Sequence, residues 1–232
     1  MDRVSFDLAT TPLREINAFL HRAPAETESR TVILDRPGGV HNLAVGMAHD
    51  WRVTVHGHVG YYAAGMNQTA EMEIFGNAGT GLAENMMSGR VVVHGFASNA
   101  AGASAHGGLL VIGGDAGLRC GISLKGGDIV VGGSVGSFSG FMAQAGRLLV
   151  CGDAGDALGD SLYETVIYLG GHARSLGADA REEPMTEPDY QEVESLLARA
   201  GGNFCTVDPG RFRKIVSARS LYHWNANANQ EY

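Results

Sequence analysis

Apolar residues recur along this chain in pairs two positions apart, and each pair returns after 19 residues. One column reads Val53, Met72, Val91, Leu110, Ile129, Leu148 and Ile167; the other reads Val55, Ile74, Val93, Ile112, Val131, Val150 and Leu169. The spacing of two puts both columns on one face of a short strand, and most of the side chains are β-branched or leucine. A 19-residue unit is too short for a helical crossover between parallel strands. It suits one coil of a solenoid, with two or three short strands separated by tight turns. Each strand then pairs with its equivalent one coil on, about 4.8 Å away. A propeller blade needs about 40 residues, and the Leu/Asn signature of a leucine-rich repeat is absent. The pattern predicts an all-β fold, a single-stranded right-handed parallel β-helix (β-solenoid) of about seven 19-residue coils.

Glycine keeps the same register. Gly57, Gly76, Gly95, Gly114, Gly133, Gly152 and Gly171 anchor the seven units without an insertion. Three residues after each anchor stand Gly60, Gly79, Ser98, Gly117, Gly136, Gly155 and Arg174, and seven after it every residue is Gly or Ala. Gly89, Gly108, Gly127 and Gly146 precede the strands of four units. The chain holds 34 glycines but only 6 prolines, which fits neither collagen nor disorder. These positions are expected at corners that need a positive φ or leave no room for a side chain.

Strand parity also defines outward columns. Five residues before the anchors stand Arg52, Glu71, Arg90, Leu109, Asp128, Arg147 and Val166, so Arg52–Glu71–Arg90 and Asp128–Arg147 should stack as opposite charges on adjacent coils. Three before the anchors the row reads Thr54, Glu73, Val92, Val111, Val130, Leu149 and Tyr168. It turns apolar for five coils, and an outward apolar row of that length predicts a cover, from the same chain or from a partner.

The ends break the pattern and define three regions: an N-terminal helix and lead-in over 1–50, the repeat over 51–180, and a helical cap and tail over 181–232. Thr11-Pro12 followed by Leu13, Ile16, Phe19 and Leu20 predicts a capped amphipathic helix. Residues 31–50 share some character with the coils but not their pattern. Glu182-Glu183-Pro184 is expected to end the solenoid. A helix over 188–200 carries Tyr190, Val193, Leu196 and Leu197 on one stripe, and a second short helix is expected to follow Asp208-Pro209, around Phe212, Ile215 and Val216. Helices of this kind can cover the open ends of a solenoid.

Chemistry is sparse. The formal net charge of −8 disfavours nucleic-acid and anionic membrane partners. Cys120, Cys151 and Cys205 form no CxxC motif, so a disulfide scaffold, zinc site or iron–sulfur site is not expected. No signal peptide or membrane-spanning run is visible, which points to the cytoplasm. His56 and His94 share a column two coils apart with Phe75 between them, too far for one mononuclear metal site. Asp115 and Asp153 flank Ser134 in the same way. Gly57-His58-Val59-Gly60 and Gly113-Gly114-Asp115-Ala116-Gly117 resemble phosphate loops but open no helix, so they read as solenoid corners. No Cys–His pairing is visible, and Leu221-Tyr222-His223-Trp224-Asn225 is an aromatic run that could dock on a partner. No catalytic, cofactor-binding or metal residue is assigned.

The ladder, with Gly76-Asn77-Ala78-Gly79, Met87-Ser88-Gly89 and Lys125-Gly126-Gly127, resembles the Gly-x-x-Gly-x-x-x-Gly β-helix domain at the C-terminal end of glutamate synthase large subunits. The likeness spans roughly 40–180. Asp7-Leu8, Thr11–Asn17 and Ala218–Asn225 extend it. Among stand-alone chains it looks most like the corresponding subunit of N-methylglutamate synthase. The β-helix subunit of formylmethanofuran dehydrogenase, with its counterpart in the formyltransferase/hydrolase complex, carries the same ladder and is the alternative, followed by a free-standing β-helix enzyme. The first resemblance implies a non-catalytic subunit holding together a glutamine-amidotransferase-like subunit and an FMN-dependent, iron–sulfur-containing glutamate synthase-like subunit. Such a complex would convert methylamine and glutamate to N-methylglutamate and ammonia. The FMN and cluster would sit on the partner, not on this chain.

Overall fold

A computed structural model describes residues 3–26 and 29–218 and shows a parallel β-solenoid. Strands β3 (Arg52–His56), β4 (Glu71–Phe75), β5 (Arg90–Val93), β6 (Leu109–Ile112), β7 (Lys125–Val131), β8 (Ala145–Val150) and β9 (Val166–Leu169) follow one another in a parallel ladder. The register keeps the 19-residue step, for example Ile74↔Val93 and Val93↔Ile112. Both inward columns are buried along their whole length, and they form one core cluster that runs the length of the stack. A second line of parallel bridges links Val59, Ala78, Ala97, Ala116, Val135, Ala154 and Ala173. Small side chains there keep the coil narrow.

The ladder starts earlier than its 19-residue phase suggests. β1 (Val4–Asp7) pairs with β2 (Thr31–Asp35), and β2 pairs in register with β3 through Val32↔Val53 and Leu34↔Val55. Residues 31–50 are thus a first coil whose longer turn shifts the phase. Between these strands, α1 (Leu13–His21) buries Ile16 and Leu20; Pro12, not Thr11, holds its N-cap position, one residue later than the sequence suggested, and no side chain caps it. Asn17 ties it to the first coil by donating to the Asn42 carbonyl at 2.8 Å and accepting from the Ala44 N–H at 2.9 Å. Phe6, Phe19 and the fully buried Trp51 pack in sequence, with ring centroids 5.0 and 5.1 Å apart.

The far end corrects the sequence reading. Residues 180–183 form a strand, β10 (Ala180–Glu183). One 3₁₀ turn, Pro209–Arg211, does follow Asp208, whose side chain accepts from the Gly210 N–H, but Ile215 and Val216 lie beyond it on a strand, β11 (Arg213–Ser217), not on a helix. β11 lies antiparallel between β9 and β10, so parallel propagation stops there. Arg181, Glu182 and Glu183 leave a charged outer edge, which discourages further strand addition. Single-strand alternation in Arg213–Ser217 buries only Ile215, and that short pattern is easily mistaken for part of a helical stripe.

α2 (Glu187–Ala200) is the cover that the outward apolar row calls for. Val193, Leu196, Leu197 and Ala200 pack against Val92, Val111, Val130, Leu149 and Tyr168, forming a second apolar cluster outside the solenoid. Asp128 clamps the helix: its carboxylate accepts from Arg147 at 3.2 Å and from Arg199 at 2.6 Å. The Arg52–Glu71 pair forms at 3.7 Å, but Arg90 does not extend that stack as expected. It donates to the Ala200 carbonyl at 2.9 Å, satisfying a carbonyl in the last turn of α2.

Candidate functional site

The corner columns absorb most of the residues that looked chemical. One residue after five of the seven anchors, a side chain accepts a hydrogen bond from the backbone N–H of its equivalent one coil on; Phe96 interrupts the series. His58 accepts from Asn77 at 2.9 Å, Asn77 from Phe96 at 3.0 Å, Asp115 from Ser134 at 2.7 Å, Ser134 from Asp153 at 2.9 Å, and Asp153 from His172 at 2.7 Å. A second column repeats the device, with Asn99 accepting from Leu118 at 2.9 Å and Ser137 from Asp156 at 3.1 Å. Asp115, Ser134 and Asp153 therefore form successive rungs that close the corners.

The anchor glycines make space for these rungs. A Cβ on Gly133 would lie 2.1 Å from Asp115 Oδ1, and one on Gly171 2.3 Å from Asp153 Oδ1. Neither glycine adopts a positive φ. Among the anchors Gly57 alone does, and positive φ is concentrated in other columns, such as Ala64, Ala83, Gly102, Gly121, Gly140 and Gly159 seven residues after the anchors. Both glycine functions anticipated from sequence are present: Gly133 and Gly171 serve close approach without a positive φ, Gly121 serves a positive φ with only the end of Ile129 nearby, and Gly89, Gly108, Gly127 and Gly146 combine the two.

His56 and His94 stay apart. His56 Nδ1 lies 2.7 Å from Asp35 Oδ1, His94 Nε2 lies 2.8 Å from Glu73 Oε1, and Phe75 stacks on His94 with centroids 4.3 Å apart. Among the described residues, no group of three or more His, Cys, Asp or Glu is placed to hold a metal ion. Cys120 is fully buried and its thiol is pushed up to about 12; Cys151, also desolvated, is pushed up to about 11. Neither is a thiolate near neutral pH, so neither is an activated nucleophile. Cys205 is exposed. The run Leu221–Asn225 lies outside the described residues.

A cleft of about 440 Å³ opens where the cap leaves the sheet, between β4–β6 and the 3₁₀ turn Gly202–Thr206. Arg90, Glu73 and His94 supply its polar wall; Val92, Val111, Phe204 and Val207 supply an apolar one. Gly113 and Gly132 leave room in its floor, since a Cβ on Gly132 would meet the Phe204 ring at 3.1 Å. Sequence reasoning missed this cleft because it joins residues more than a hundred positions apart, as in the Arg90–Ala200 contact. The signal that could have found it is the change from His56, Phe75 and His94 to Gly113 and Gly132 in one outward column. Phe75, stacked on the cleft residue His94, is 47% exposed. No helix among the described residues is long and apolar enough to cross a membrane.

No family model and no solved structure matches the chain. It is 55% identical over 226 residues to Protein GlxC of Rhizobium meliloti (strain 1021), an alignment covering 97% of this chain and 98% of that protein. The chain belongs to the GlxC family.

Proposed function

We propose that this chain is a non-catalytic structural subunit of a glutamate synthase-like assembly, and specifically of an N-methylglutamate synthase. It would hold a glutamine-amidotransferase-like subunit and an FMN- and iron–sulfur-carrying synthase-like subunit in place. The observation that carries this reading is the 19-residue ladder itself, the feature by which the sequence resembles the β-helix domain of glutamate synthase large subunits. The rung bonds support it, because Asp115, Ser134 and Asp153 each commit an oxygen to a backbone amide of the next coil and so brace the stack. Such a stack offers a rigid body with long lateral faces, which suits it to positioning other chains.

Co-expression with an amidotransferase-like and a flavin synthase-like chain tests the proposal. The expected result is a complex that stays together through gel filtration and forms N-methylglutamate from methylamine and glutamate only when this chain is present. Turnover of either substrate by this chain alone would show an enzyme instead. Failure of the three chains to associate would remove the scaffold reading.

A further inference from the structure

We propose that the cleft at the end of the cap binds a free α-amino acid, holding its carboxylate on Arg90 and its ammonium on Glu73. Arg90 has five N–H donors, and the bond to Ala200 uses only one nitrogen of its guanidinium. Glu73 gives Oε1 to His94, and among the described residues Oε2 has no partner. Both groups line the same cleft. Arg90 sits opposite Glu71 across the β4–β5 pair, so Glu73 is its diagonal neighbour. With parallel strands about 4.8 Å apart and a rise of about 3.3 Å per residue, diagonal neighbours have Cα atoms about 8 Å apart, close enough for two long side chains to converge on one small zwitterion. Val92, Val111, Phe204 and Val207 give the side chain of the amino acid an apolar wall. A cleft of about 440 Å³ lies in the range of small-molecule sites. A lone carboxylic acid would leave Glu73 facing its apolar or anionic end, and a lone amine would leave Arg90 unmatched, so the paired charges select the zwitterion.

The inference stands independently of the subunit role. Calorimetric titration of the full chain with leucine, isocaproate and isoamylamine tests it, because the three share one side chain and differ only in charge. Leucine is expected to bind saturably and at least tenfold more tightly than either analogue, since each lost charged hydrogen bond weakens binding by about that factor. Glu73→Gln should bring leucine down to the affinity of isocaproate while leaving isocaproate unchanged. Glu73 is 46% exposed, so this variant should retain the fold, which a circular dichroism melt would verify. Equal binding of isocaproate and leucine to the unaltered chain would make this a simple carboxylate site and overturn the proposal. Absence of saturable leucine binding would overturn it as well.

Discussion

Replacing Gly133 by alanine isolates the reason for the anchor glycines. The added methyl would meet Asp115 Oδ1 at 2.1 Å, and the Asp115 nitrogen and Gly114 carbonyl carbon at 2.9 Å. Asp115 must swing away and lose its 2.7 Å bond from the Ser134 N–H. A hydrogen bond to a charged group contributes about 1.5–3 kcal/mol, and the remaining overlap with backbone adds about 1–3 kcal/mol. Gly133→Ala should therefore destabilise by about 3–5 kcal/mol. Asp115→Ala alone removes the same bond at an exposed corner and should cost about 1–2 kcal/mol. Combined, the two share one loss, so the double variant should be milder than the sum by about 1–2 kcal/mol.

Equilibrium urea unfolding followed by circular dichroism reads all four corners of that cycle. Gly121→Ala is the contrast. Its φ is +66°, its nearest contact is the end of Ile129 at 3.3 Å, and the same column already holds Ala64 and Ala83 in that conformation. It should cost only about 1–2 kcal/mol, the left-handed backbone term alone. Additivity of Gly133→Ala and Asp115→Ala within about 0.5 kcal/mol would refute the space argument. So would a Gly133→Ala effect no larger than that of Gly121→Ala.

Two further predictions concern the cap. Val111→Lys with Val130→Lys puts two ammonium groups into the layer under α2, where those valines are 1% and 0% exposed; loss of the folded monomer in gel filtration is expected, and a folded monomer would mean that the cap is dispensable. Acid should loosen the same layer through Asp189. Burial alone would raise its pKa, but hydrogen bonds from Thr186 and Lys214 outweigh burial and hold it at about 2. A depressed carboxylate stabilises the fold fully above its ordinary value and loses that contribution as pH falls toward the depressed one. About 1 kcal/mol, after allowance for solvent screening, should disappear between about pH 5 and pH 2. Asp189→Asn should flatten that part of the stability profile, and an unchanged acid slope in the variant would count against the assignment.

The solenoid was legible because its signal is repeated: seven in-phase units leave the period unmistakable, and burial of both inward columns follows from parity. Elements that occur once were less so. β2 escaped because its partner lies 21 residues on instead of 19, which removes it from the phase while preserving its register with β3. β10 and β11 escaped because antiparallel closure leaves no repeat to detect, and Pro184 reads as a breaker whatever precedes it. Arg90 was assigned to a charge stack by its column, yet its bond goes to the end of α2, a contact that no local pattern encodes. The candidate cleft inherits the same difficulty, since its walls come from both the ladder and the cap.

The outward columns nevertheless record the position of the cap more fully than the apolar row alone suggests. Five residues before the anchors, Arg52, Glu71 and Arg90 give way to Leu109; three before, Thr54 and Glu73 give way to Val92; one before, His56, Phe75 and His94 give way to Gly113 and Gly132. All three changes fall between β4 and β6, where α2 ends. Each has its own physical reason. Three residues before the anchors, apolar residues replace charged ones where the helix excludes water. Five before, Leu109 is followed by Asp128 and Arg147, whose charges are paired with Arg199 and Glu192 of α2. Glycine replaces rings where the chain after the helix presses on the sheet, as Phe204 does over Gly132 and Phe212 over Gly170. Bulk and charge on the remaining strands then mark the part of the face left open to solvent. That open part, from β2 to β4 with the exposed Phe75 beside it, is continuous with the cleft. A ligand held between Arg90 and Glu73 would therefore sit at the boundary between the covered and uncovered halves of one sheet.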